Sequence, residues 1–112
     1  MARALVIAAR QPDFVELLED AGFDVQVRTR PLDGESVEAD VGIVFRGRLI
    51  GRNQAHLLTA AGLPVVEILT GPATSASKAD WIRVSSRVSK PDLVQLALAL
   101  ADLSARRGSR LI

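Results

Sequence analysis

Three short apolar runs constrain this chain more than any other feature. Ala4-Leu5-Val6-Ile7-Ala8, Val41-Gly42-Ile43-Val44-Phe45 and Val65-Val66-Glu67-Ile68-Leu69 are each nearly free of polar groups. Runs of that length and character are buried on both faces, as the strands of a parallel sheet are. Between them lie segments with helical spacing. Phe14, Val15, Leu17, Leu18 and Ala21 recur at helical intervals, with Pro12 ahead of them and Gly22 behind, which predicts a helix over 12–21. Asp13 and Glu16 complement the positive end of its dipole. Val25 and Val27 alternate with polar neighbours, as in a half-exposed strand that ends before Pro31.

The second half repeats the pattern. Asn53 is expected to cap a helix over 54–61, with Leu57, Leu58 and Ala61 inward and Gly62 at its end. Trp81-Ile82-Arg83-Val84 reads as the last strand. Ser89 caps a final helix whose apolar face runs through Leu93, Val94, Leu96, Ala97, Leu100, Ala101 and Leu103. Residues 33–39 and 73–80 give only weak signals, each a short helix or a loop. Arg106, Arg107, Gly108 and Arg110 predict a frayed basic tail. Strand followed by helix, about five times over, predicts an α/β fold: a three-layer α/β/α sandwich on a five-stranded, mainly parallel sheet. The expected organisation is a single domain over 1–105 and a basic tail over 106–112.

Composition removes whole classes of function. With 48% hydrophobic and 24% charged residues, disorder is not expected. Cysteine is absent and His56 is the one histidine, so the chain has no disulfide framework, no thiol nucleophile and no site built from cysteines or several histidines. No metal or cofactor is expected. His56 itself reads as a surface or packing residue on its helix. No apolar run approaches a membrane span and no leader pattern precedes the first strand, so the expectation is a soluble, cytoplasmic protein without a membrane partner. Ser85, Ser86 and Ser89 have no base nearby in sequence, and Asp13, Asp33 and Asp40 are isolated acids, so no enzyme is expected.

Leu63-Pro64-Val65-Val66-Glu67-Ile68-Leu69-Thr70-Gly71 ends an apolar strand on a hydroxyl residue and a small one. Together with Pro12-Asp13-Phe14-Val15-Glu16-Leu17-Leu18 and Ala21-Gly22-Phe23-Asp24-Val25, it resembles the receiver domain of two-component response regulators, a flavodoxin-like fold. The resemblance spans roughly 4–104. It implies an acidic pair after the first strand to bind magnesium and an aspartate at the end of the third strand to accept a phosphoryl group. Here those places hold Ala9 and Arg10, or their neighbours Ala8 and Gln11, and Phe45. A hard divalent cation needs several oxygen ligands, which these residues lack. Thr70 matches the family's hydroxyl residue. The family's lysine before a proline falls either on Lys90-Pro91 or on Ser85-Ser86, and in the second register Trp81 approximates the switch aromatic. The resemblance therefore implies a degenerate receiver that binds another protein instead of switching by phosphorylation. Lys78, Trp81 and Arg83 are the candidate partner-binding residues, and a homodimer is one candidate assembly.

Arginine outnumbers lysine 12 to 2, although the net charge is only +1. In an open parallel sheet, ligands bind at the C-terminal ends of the strands. Arg10, Arg28, Arg46, Arg48 and Arg52 follow or end the first three strands, and Thr70 ends the fourth. Arg30, Arg83 and Arg87 lie nearby in the same reading. An anion-binding rim for a phosphate, a nucleotide or an acidic surface is one reading of this pattern. The other is a set of solvated arginines paired with Asp33, Glu35, Glu38 and Asp80, each pair worth about 0–1 kcal/mol. Arg46-Gly47-Arg48-Leu49-Ile50-Gly51-Arg52 is neither a P-loop nor a dinucleotide fingerprint. No aromatics interleave with the arginines, so nucleic acid is not an expected partner. Three functions thus stand at this level: a non-enzymatic receiver-like interaction module, a small anion- or nucleotide-binding domain, and a small subunit or adaptor of a larger enzyme.

Overall fold

The computed structural model describes residues 2–32, 38–47, 50–51, 53–69 and 81–110, without the side chains of 104–110. Five strands form one sheet: β1 (Arg3–Ile7), β2 (Asp24–Arg28), β3 (Val41–Phe45), β4 (Val65–Leu69) and β5 (Ile82–Ser85). Their order is β2-β1-β3-β4-β5 and every neighbouring pair is parallel. This is the expected sheet, with each apolar run in a strand and the half-exposed strand at an edge.

Alternation across the sheet builds two cores. Ala4, Val6, Val41, Ile43, Val66 and Ile68 face one way and pack against Phe14 and Leu18, and against Leu93, Val94, Ala97 and Ala101. Leu18 belongs to α1 (Val15–Asp20), and the last four to α3 (Lys90–Arg110). Leu5, Ile7, Val44 and Val65 face the other way, against Ala55 and Leu58 of α2 (Asn53–Ala60) and against Leu32, Ile50 and Leu63. The molecule therefore has three layers, with α1 and α3 on one side of the sheet and α2 on the other. Gly42 shows how closely α2 sits. A Cβ added there would lie 2.8 Å from Leu58 Cδ1.

The helix boundaries depart from the sequence reading in ways that packing explains. α1 opens at Val15 instead of Pro12. Phe14 is drawn into the core at 2% exposure, and its carbonyl side stays in a turn (φ −72°, ψ −8°) in which Val15 N–H donates to Pro12 O. Gly22 and Gly62 do close their helices, each with positive φ (100° and 88°), a conformation that a Cβ would strain. In α2, Asn53 is the first helical residue and not the cap. The inward face is Gln54, Ala55 and Leu58, whereas Leu57 is 36% exposed and Ala61 is exposed. The cause is Gln54, fully buried. Leu32 N–H donates to its Oε1 at 2.6 Å, and its Nε2 donates to Leu32 O at 3.3 Å. That pairing satisfies a buried peptide group and sets the helix's rotation.

Ser89 caps α3 as expected, its Oγ accepting from Asp92 N–H at 3.3 Å. Leu103 lies outside the packed face, 50% exposed. The helical backbone runs through Arg110, so the boundary expected at 105 falls inside α3 and residues 106–110 extend it. The weak segments 33–39 and 73–80 lie largely outside the described residues. Among those described, no helix is long and apolar enough to cross a membrane.

Candidate functional site

The C-terminal ends of the strands are where ligands bind in an open parallel sheet, so the candidate residues are placed there first. After β1 the chain bends at Ala9 and Arg10, both exposed. Ala8 stays in the core and donates its N–H to Arg28 O, closing the loop onto β2. β3 ends at Phe45, whose Cα partner on β4 is Ile68, and Arg46 N–H donates to Ile68 O. β5 ends at Ser85. Ser86 N–H donates to Leu69 O, Val88 N–H to Ser85 O and Arg87 N–H to Ser85 Oγ. Lys90 then begins α3. Of the two registers, the structure has the one with Ser85 at the end of the last strand.

Between the turn ahead of α1, the β3 and β4 ends, and the turn after β5 lies an open cleft of about 220 Å³ on the α1/α3 side. Its floor is aromatic. The Phe14 and Phe45 rings are 5.4 Å apart and inclined at 51°, a tilted contact of the kind aromatic pairs favour. Ile68, Val88 and Leu93 complete the apolar wall, and Arg46, Ser86, Asp13 and Lys90 supply its polar groups. Lys90 Nζ is 3.8 Å from Asp13 Oδ2, with both side chains well exposed. No three acidic or histidine side chains among the described residues are placed to hold a metal ion. Asp40 sits at the opposite end of the sheet, where its Oδ2 accepts from Arg3 N–H at 2.8 Å.

The arginine rim does not converge among the described residues. Arg10 is exposed after β1. Arg28 lines a trough of about 410 Å³ with Leu5 and Leu32 on the α2 side. Arg46 faces the cleft on the α1/α3 side. Arg28 and Arg46 line different pockets. Arg48, Arg52, Thr70 and Lys78 lie outside the described residues. One ion pair of the solvated kind is present, Arg3 with Glu38 at 3.3 Å, both exposed.

Arg83 lies within β5, an outer strand of the sheet, and not beyond its C-terminal end. It points from β5 into the α2-side interior, its side chain 13% exposed, with Nε 3.1 Å from Oε1 of Glu67. Glu67 is completely buried on β4 and is the Cα partner of Arg83. Trp81 Nε1–H donates to the same carboxylate oxygen at 3.2 Å, and the Arg83 guanidinium lies 5.5 Å from the Trp81 ring centre. The His56 ring meets Trp81 edge-on at 6.4 Å. Trp81 and Arg83, expected as partner contacts, therefore hold an internal polar cluster. Glu67 is the residue that sequence reasoning passed over. Its signal was a carboxylate in the centre of an apolar strand, a position that demands a partner.

No family model matches the sequence, and no curated protein matches it either. Among solved structures, a response regulator receiver protein from Sinorhizobium medicae WSM419 shares this fold at a TM-score of 0.70. The two chains are 20% identical, and the match covers 92% of this chain and 96% of that one. The architecture is thus receiver-like, a five-stranded all-parallel α/β sheet of the flavodoxin type.

Proposed function

We propose that this chain is a receiver-like interaction module in signalling or regulation, and that it works by binding another protein without aspartyl phosphorylation. The observation that carries the reading is the floor of the cleft. Phe45 ends β3, where the resemblance calls for the phosphoryl-accepting aspartate, and its ring meets that of Phe14 from the turn ahead of α1. Phenylalanine can neither accept a phosphoryl group nor ligate magnesium, which takes oxygen donors in a near-octahedral set. The fold shared with a response regulator receiver protein supports the signalling context. Binding in the cytoplasm is the role assigned, with no catalytic step, and a second copy of the chain is the first partner to test.

Magnesium with acetyl phosphate or phosphoramidate provides the test. Intact-mass spectrometry is expected to show no phosphoryl adduct, and the thermal midpoint should not move on adding magnesium. An adduct on Asp13 or Asp40 would overturn the reading. Light scattering on the same sample reports whether the chain pairs with itself.

A further inference from the structure

The geometry points to the cleft between Phe45 and Arg46 as a binding site for a small aromatic monocarboxylate, a ring with one short acid group. Size sets the first limit. About 220 Å³ of space in this open cleft is enough for a single ring. The walls set the second. Phe45 and Val88, both partly exposed, offer aromatic and apolar surface to a ring, backed by the buried Phe14 and Ile68.

Charge sets the third limit. Two cations line the cleft, but Lys90 faces Asp13, which offsets it. Arg46 is half-buried at the cleft and has no ion pair among the described residues. A guanidinium uncompensated among the described residues matches one negative charge, and its planar fork suits a carboxylate held by two parallel hydrogen bonds. The backbone around it is fixed, since Arg46 N–H is bonded to Ile68 O and the next residue, Gly47, donates to Ile50 O. Ser86 adds a hydroxyl on the far wall. A phosphate would bring more charge than the site balances and nothing to fill its apolar floor.

Titration calorimetry of the full chain with phenylacetate as the probe tests this, with phenylacetamide and inorganic phosphate as controls. Phenylacetate should bind saturably, and each control should bind at least about tenfold more weakly. Arg46→Gln should cost about tenfold in affinity with an unchanged circular dichroism spectrum, Phe45→Leu should weaken the probe as well, and Lys90→Gln should change it less than about threefold. Four results would overturn the proposal: no saturable phenylacetate binding, phosphate binding as tightly as the probe, the neutral amide binding as tightly, or Arg46→Gln binding like the parent. The phosphoryl-donor experiment stands apart from these outcomes, so the two readings fail separately.

Discussion

Replacing Arg83 by methionine removes the charge that faces Glu67 and leaves the rest of the sheet in place. Glu67 has no exposed surface, and the Arg83 side chain is 13% exposed, so neither charge is screened as a surface ion would be. At 3.1 Å the attraction is about 5 kcal/mol at an effective dielectric of about 20. Desolvating both groups offsets much of that, so the pair as a whole contributes far less to stability than its Coulomb energy. Breaking it is a different matter. An unpaired buried carboxylate costs about 3–5 kcal/mol, and Glu67 Oε2 already has no hydrogen-bond partner among the described residues. For a domain of this size that is a fall of roughly 12–20 °C in thermal midpoint. Urea unfolding followed by tryptophan fluorescence measures it directly, because Trp81 is the one tryptophan and donates to Glu67. The double variant Glu67→Gln with Arg83→Met removes both charges while keeping an acceptor for the indole. It should regain at least about half of the loss, a coupling that neither single variant predicts. If Arg83→Met costs less than about 1 kcal/mol, the range of exposed pairs, the argument for a buried cluster is wrong.

Two further perturbations probe the α2 side. Gln54→Leu leaves the Leu32 N–H and C=O without their buried partners and should cost about 1–3 kcal/mol by chemical denaturation, while a surface change such as His56→Gln stays near zero. Gly42→Ala pushes a Cβ against Leu58 Cδ1 at 2.8 Å and should cost about 1–3 kcal/mol. Adding Leu58→Val opens space at that contact, so the pair should be less destabilised than the sum of the two single changes. Additive losses would show that the clash is absorbed elsewhere.

The strands were legible because burial on both faces leaves a simple mark. Residues 41–45 and 65–69 carry almost no polar side chains, and only a central strand tolerates that. Gly22 and Gly62 were legible as helix ends because positive φ selects for glycine whatever surrounds it. The rotation of α2 was not legible. It depends on Gln54 finding the peptide group of Leu32, 22 residues away, a pairing that no local periodicity encodes. The site was half legible. Counting residues put Phe45 at the end of β3 correctly, but strand order alone did not tell which side of the sheet each arginine would take. Arg28 and Arg46 parted for that reason. Arg83 was misplaced because its role depends on Glu67, and the two become neighbours only when β4 and β5 pair.

The order β2-β1-β3-β4-β5 also constrains how such a sheet can be put together. Each strand after β2 lies on an outer flank of those before it in sequence, β3 beside β1, β4 beside β3 and β5 beside β4, so the topology admits every later strand without parting an earlier pair. Glu67 on β4 thus depends for its counter-charge on the last strand of the chain, whose place at the flank of the sheet rests on a single neighbour.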